Sequence, residues 1–190
     1  MKKILMPLAM ALLSVGIMSA ATVGTQGFAD IGAPTGNTGN INTSTTYALG
    51  LLLTTGSQSG DFAGMPTQIF GAETFDTAVP NSLSFGNAAF GSFTSTGFTE
   101  ISNTPGSVAF YVLGNYTTGT YPLSQGASAG VAPASFTISF TQTPAGTGSI
   151  SDSATFSIPP APLGTPEPAS MVLMGSAMIG LAMIRRRRKV

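Results

Sequence analysis

The chain has 190 residues, only 7% of them charged, and contains no cysteine, histidine or tryptophan. Its seven lysines and arginines lie at the two ends, so the stretch between Ile4 and Ile184 carries seven carboxylates and no basic side chain. This composition excludes disulfides, thiolate metal sites and catalytic triads that need histidine or cysteine. It also leaves nothing to neutralise phosphates, so we expect no nucleic-acid binding.

Residues 1–21 are predicted to be a secretory signal peptide. Lys2 and Lys3 supply a positive start, the stretch Ile4–Met18 is apolar, and small residues follow up to Ala21. These are the three parts of a secretory signal, and we expect signal peptidase to cut after Ala21. The alternative is an uncleaved N-terminal anchor, which the short apolar stretch disfavours.

Residues 22–158 are predicted to form an extracytoplasmic domain that is rich in Ser, Thr and Gly. Its first part, Thr22–Asn42, contains the turn-forming sequence GAPTGNTGN and predicts a short leading strand followed by a mobile loop. Short apolar or alternating runs then recur between Gly, Pro, Asn and Ser residues, as strands and turns do. Four of these runs are Tyr47–Thr55, Thr67–Phe75, Ser82–Phe85 and Ser92–Ile101. The start of the first run is also compatible with a helix.

The clearest strand is Ala134–Thr143, whose sequence ASFTISFTQT alternates apolar and polar residues. Ile150–Ile158 repeats this alternation, although Asp152 interrupts its apolar face, and the two runs predict an antiparallel hairpin. Val108–Tyr116 is apolar on both faces and predicts a central strand that is covered on each side. We therefore expect an all-β fold, an antiparallel β-sandwich or jelly-roll-like domain, flanked by the signal peptide and a C-terminal transmembrane helix.

The only catalytic chemistry that this composition leaves open is that of carboxylates. Glu73 and Asp76 lie close together in the sequence and could be imagined as the acid and base of a glycosidase. With Asp61 they could also supply oxygen ligands to Ca²⁺, although no Asp-x-Asp-x-Asp loop is present. We favour the simpler interpretation that scattered acids keep a neutral surface soluble, and we predict no catalytic residue, no metal site and no cofactor.

The C-terminal part of the chain has three segments in a fixed order. Residues 159–168 contain five prolines, which predicts an extended linker that ends in Pro166, Glu167 and Pro168. Residues 169–184 are uncharged and, as a helix, would span about 24 Å, a short but tolerable transmembrane helix. Residues 185–190 form a basic tail that the positive-inside rule assigns to the cytoplasm, with the β domain outside. The basic residues that stop and orient the helix are Arg185, Arg186, Arg187, Arg188 and Lys189.

The Pro-Glu-Pro triplet, short apolar helix and terminal arginine run resemble the C-terminal sorting signal of PEP-CTERM proteins. Thr165 stands where valine is frequent in that family, but the three defining parts are present. The resemblance implies an exported substrate of exosortase, an integral-membrane cysteine protease or transpeptidase. Pro166, Glu167 and Pro168 would be recognised, with cleavage at or near them, and the catalytic residues would belong to the enzyme. Family members are linked to extracellular polysaccharide and biofilm matrix.

Our first hypothesis is a non-enzymatic surface or matrix protein, exported through the inner membrane, anchored transiently by its C-terminal helix and then sorted to the cell surface. Its expected partners are signal peptidase, the exosortase-like enzyme, the membrane and exopolysaccharide. An alternative is a carbohydrate-binding module whose sugar-stacking faces are Tyr47, Tyr111, Tyr116 or Tyr121. A carboxylate-dependent glycosidase is the least favoured hypothesis.

Overall fold

The computed structural model describes residues 21–161. The predicted signal peptide, apart from Ala21, lies outside the described residues. So do the sorting motif Pro166, Glu167 and Pro168, the predicted helix 169–184 and the basic tail 185–190. Within residues 21–161 no helix is long and apolar enough to cross a membrane.

Short and medium strands make up most of the described residues. The strands are β1 Gly24–Ile31, β2 Thr35–Gly36, β3 Thr46–Gln58, β4 Ile69–Asp76, β5 Ser84–Asn87, β6 Gly91–Thr104, β7 Ser107–Thr118, β8 Val131–Thr143 and β9 Ser149–Ile158. Between them lie a single turn of 3₁₀ helix, Gly60–Phe62, and the short helix α1, Thr120–Ser124. Each predicted run is a strand with ends shifted by a few residues, and β3 is a strand and not a helix.

The nine strands form one antiparallel sheet in the order β2-β3-β1-β9-β8-β7-β6-β5, and β4 pairs with β3. Consecutive strands from β5 to β9 are joined as neighbours, and β1 links β9 to β3. The sheet curls so that one face encloses the core. The all-β antiparallel prediction is confirmed, but the ladder runs through a single curled sheet instead of dividing into the two sheets of a sandwich.

The core is built largely from aromatic rings on the inner face of the sheet. All twelve phenylalanines of the chain lie in this core or pack against it. The Phe28 ring has five aromatic neighbours with centroids between 5.3 and 6.5 Å away. Towards the other end of the core, Tyr47 stacks on Phe75 and Phe140. Because the described residues contain no basic side chain, apolar burial and hydrogen bonds supply the stability that ion pairs cannot.

The β8–β9 hairpin and the central strand β7 agree with the sequence prediction. In β8 the apolar members of the alternation, Phe136, Ile138 and Phe140, are fully buried. β9 pairs with β8 in one unbroken antiparallel register. β7 lies between β6 and β8, and its residues from Val108 to Val112 are all buried. The first half of β7 is therefore covered on both faces, as predicted, whereas Leu113 and Asn115 on the outer face of its second half are exposed.

The segment between β2 and β3 differs from the mobile loop that the sequence predicts. The buried side chain of Gln142 donates to the carbonyl of Gly39 at 2.8 Å and accepts from the backbone amide of Ile41 at 3.3 Å. Asn42 accepts from the backbone amide of Gly106 at 2.9 Å. The glycine-rich composition of this segment indicates turns. The residues that fix it, Gln142 and Gly106, are distant in the sequence, and local patterns do not reveal such contacts.

Candidate functional site

The four tyrosines proposed as sugar-stacking faces are mostly buried. Tyr47, Tyr111 and Tyr116 are 1%, 6% and 0% exposed, and each donates its hydroxyl to a backbone carbonyl. Burial raises the pKa of Tyr47 to about 12, with the negative charge of Glu100 adding to the effect. Tyr121 is half-buried and donates to the carbonyl of Ala63 at 2.9 Å. The stacking prediction is therefore wrong for Tyr47, Tyr111 and Tyr116, because a ring must be exposed to stack on a sugar.

The structure does not assemble the carboxylate sites that the sequence left open. Glu73 and Asp76 are three residues apart in β4, so their side chains leave the strand on opposite faces. Asp76 accepts from the backbone amide of Ala78 at 2.9 Å in the turn that follows the strand. Asp61 accepts from the backbone amide of Val23 at 2.8 Å and holds the start of the domain. Within residues 21–161 no group of three or more acidic side chains could hold a metal ion, so the Ca²⁺ alternative has no ligand set there.

An open groove of about 540 Å³ lies along β5, between the start of β6, the end of β7 and Glu73 of β4. We call it the seam groove. The side chains of Glu73, Ser84, Asn87, Ser92, Thr117 and Thr118 line it. Burial raises the pKa of Glu73 above its usual value, and Asn87 bridges the seam by donating to Gln68 at 3.1 Å. Hydroxyl, amide and carboxyl groups together suit a neutral, hydroxylated ligand that exchanges hydrogen bonds.

Close backbone contacts form the floor of the seam groove. Gly91 has a φ of +108°, and a Cβ added there would lie 2.2 Å from the carbonyl oxygen of Thr117. A Cβ added at Gly119 would lie 2.2 Å from the amide nitrogen of Gly91. Only glycine fits both positions. The sequence did not reveal the groove, because its lining combines β5, β6 and β7 with a residue of β4, which pairs with none of these three strands.

A pair of acids forms a second polar feature, on the inner face of the sheet. The β1–β9 register ends with Phe28 paired to Ala154. Asp30 and Asp152 each lie two residues beyond this pair, close enough for the charge of Asp30 to act on Asp152. Asp30 accepts from the backbone amide of Gly50 at 2.6 Å through one oxygen, while its other oxygen and one oxygen of Asp152 are shielded and without a partner. Burial, and next the negative charge of Asp30, raises the pKa of Asp152 to about 6. Asp152 therefore retains its proton more readily than an isolated aspartate does.

The interruption that Asp152 makes in the apolar face of its strand was the sequence signal for this pair. Asp30 carried no such signal, because its neighbours in the sequence do not reveal which strand lies opposite. The two acids lack a third acidic neighbour within residues 21–161.

Comparison with known proteins bears on the C-terminal part of the chain. Residues 165–188 match the family model described as the PEP-CTERM protein-sorting motif. The match includes Pro166, Glu167 and Pro168, the apolar run and the arginines that follow it, so the resemblance drawn from these residues is confirmed. No curated protein and no solved structure matches the chain. The motif indicates an exported protein that is processed by an exosortase, and the chain is a protein that carries a C-terminal PEP-CTERM sorting signal.

Proposed function

We propose that the β domain is a non-enzymatic surface or extracellular-matrix protein that associates with exopolysaccharide after an exosortase has released it from its membrane anchor. The observation that carries the proposal is the sorting motif at residues 165–188, directly after a domain without basic side chains. Signal peptidase would act at Ala21, and the exosortase at or near Pro166, Glu167 and Pro168. The domain itself supplies no catalytic group in this scheme.

Processing at both ends changes the charge of the protein. The precursor has seven basic and seven acidic side chains, and every basic one lies in residues 1–21 or 169–190. Loss of both segments leaves a product whose only charged side chains are carboxylates. Such a domain repels anionic surfaces and stays soluble, so its contacts with a polysaccharide would come from its many hydroxyl and amide groups.

Mass spectrometry of the secreted protein tests this proposal. We expect a mature chain that begins at Thr22 and ends near Pro168. Trypsin finds no site between Lys3 and Arg185, so a different protease must map the ends. A variant with Pro166→Ala and Pro168→Ala should accumulate uncut in the membrane, while Pro160→Ala in the same linker serves as its control. A secreted chain that still carries Arg185–Val190 contradicts the proposal.

A carbohydrate-binding module is the second candidate function. It is now supported by the hydroxyl- and amide-lined seam groove, since three of the four tyrosines are buried. Binding to a glycan array should be weakened at least tenfold by Glu73→Gln with Asn87→Ala, because both side chains line the groove. Glu100→Gln, which also removes one carboxylate but from an exposed position of β6 outside the groove, is the control. Absence of binding to every glycan removes this candidate.

A further inference from the structure

The start of the proline-rich linker does not leave the domain freely at the end of β9. Ser157 donates its hydroxyl to the carbonyl of Pro159 at 2.9 Å. Two residues later, the backbone amide of Ala161 donates to the hydroxyl of Ser135 at 2.9 Å, and the hydroxyl of Tyr111 donates to the carbonyl of Ala161 at 2.5 Å. Both backbone polar groups of Ala161 are therefore bound by side chains of the sheet.

The two side chains that bind Ala161 stand on the outer face of neighbouring strands. Tyr111 lies between two β7 residues that belong to the core, so its own side chain points outward. Ser135 is in β8, beside Leu113 of β7 in the antiparallel register. Tyr111 is 6% exposed and Ser135 0%, whereas Leu113 on the same outer face is 44% exposed. The linker thus crosses from β9 over β8 to β7, where Ser135 and Tyr111 bind it. A tyrosine ring beside a hydroxyl suits the binding of an extended, proline-rich chain.

We propose that Tyr111 and Ser135 form a docking site for the start of the linker, and that this linker dock fixes how far the folded domain is held from the sorting motif. From Ala161 to Pro166 there are five residues, which span at most about 17 Å. If the chain were free from Ile158, eight residues would span about 27 Å. A domain of this size has a radius of gyration of about 14 Å, so the dock decides whether the motif can move clear of the domain surface. The role in spacing rests on the proposed processing by an exosortase; the docking itself does not.

A single introduced trypsin site tests the docking. Since the full chain has no Lys or Arg between Lys3 and Arg185, Pro160→Arg creates one cleavable bond there, between residue 160 and Ala161. Trypsin cuts this bond only when the segment leaves its contacts. In the full chain in mild detergent, adding Tyr111→Phe and Ser135→Ala should speed this cut about tenfold, since two hydrogen bonds are lost.

A control on the same outer face separates docking from general loosening of the sheet. Thr141 and Ser151 share a hydrogen bond of 2.7 Å on exposed positions of β8 and β9. Thr141→Val with Ser151→Ala also removes two hydroxyls, and it should leave the cleavage rate at residue 160 unchanged. Equal rates in the dock variant and its parent overturn the docking, and so does an equal acceleration by the control pair. Matching far-ultraviolet circular dichroism spectra and a cooperative urea-unfolding transition establish that the dock variant is folded.

The role in spacing is tested in cells that express the exosortase, without the trypsin site. Release of the linker should raise the rate of processing at the sorting motif, measured as the conversion of precursor to mature mass after a pulse label. Insertion of three Gly-Ser pairs after Ala161 should produce the same rise in the parent and no further rise in the dock variant. Faster trypsin cleavage with unchanged processing overturns the role in spacing. Absence of processing in the parent chain refutes the proposed function instead and leaves the docking result standing.

Discussion

Asp152→Asn, which replaces a carboxylate of β9 by a neutral amide, should make the domain more stable at neutral pH. Asp152 lies near Asp30 on the inner face, and no basic side chain in residues 21–161 can compensate either charge. An asparagine removes the repulsion. Its amide group can also donate to the shielded oxygen of Asp30, which has no partner in the parent protein.

The pKa of Asp152 sets the magnitude and the sign of this effect. Burial and the charge of Asp30 raise that pKa from 3.8 to about 6. At 1.36 kcal/mol per pH unit, the full shift corresponds to about 3 kcal/mol; because the side chain is only partly buried and water screens it, we expect about 1.5 kcal/mol. A raised carboxyl pKa favours folding in acid. The contribution is complete below pH 3.8 and is lost as the pH rises through about 6.

Urea unfolding of the secreted protein at pH 4 and at pH 7.5 measures this prediction. The difference in unfolding free energy between Asp152→Asn and the parent should be about 1.5 kcal/mol larger at pH 7.5 than at pH 4. Glu100→Gln removes one carboxylate from an exposed position of β6 and controls for the change in net charge. A difference that is the same at both pH values refutes the reasoning, because it would mean that Asp152 titrates alike in the folded and unfolded chains.

Three further substitutions test other parts of the fold by urea unfolding. Gly91→Ala should lower the free energy of unfolding by about 3 kcal/mol, because the added Cβ would lie 2.2 Å from the carbonyl oxygen of Thr117 and the backbone φ is +108°. Gly97→Ala is the control: no atom lies near its Cβ, so it should change the stability little. Gln142→Leu leaves four backbone groups unpaired, so it should lower the free energy of unfolding by about 3 kcal/mol and speed amide hydrogen exchange between β2 and β3. Exchange as slow as in the parent protein would contradict the conclusion that Gln142 fixes this segment. Phe28→Ala should cost about 4 kcal/mol through the cavity left among five rings, and a cost below 1 kcal/mol would show that the rings repack.

The strands were predictable because alternation and turn residues are local signals. ASFTISFTQT became β8 with its apolar side chains buried, and the sorting motif was recognisable from the order of its three parts. The curl of the sheet was not predictable, because β1 pairs with β9, whose residues lie more than a hundred positions further along the chain. Tyrosines were misjudged for the same reason. Their rings and hydroxyls look suited to sugar binding, but Tyr47 and Tyr116 fill the core, and all four tyrosines bind backbone carbonyls.

The absence of basic side chains explains why this domain relies on hydroxyl and amide side chains at its ends and edges. A carboxylate in most proteins can find a lysine or arginine nearby, whereas here Asp61 and Asp76 bind backbone amides. Asp30 does the same through one oxygen, but Asp152 near it has a shielded oxygen without a partner, and it is this acid whose pKa rises. An exported protein meets the pH of its surroundings directly. A domain whose Asp152 is best tolerated when protonated is therefore expected to gain stability, relative to Asp152→Asn, as those surroundings become acidic.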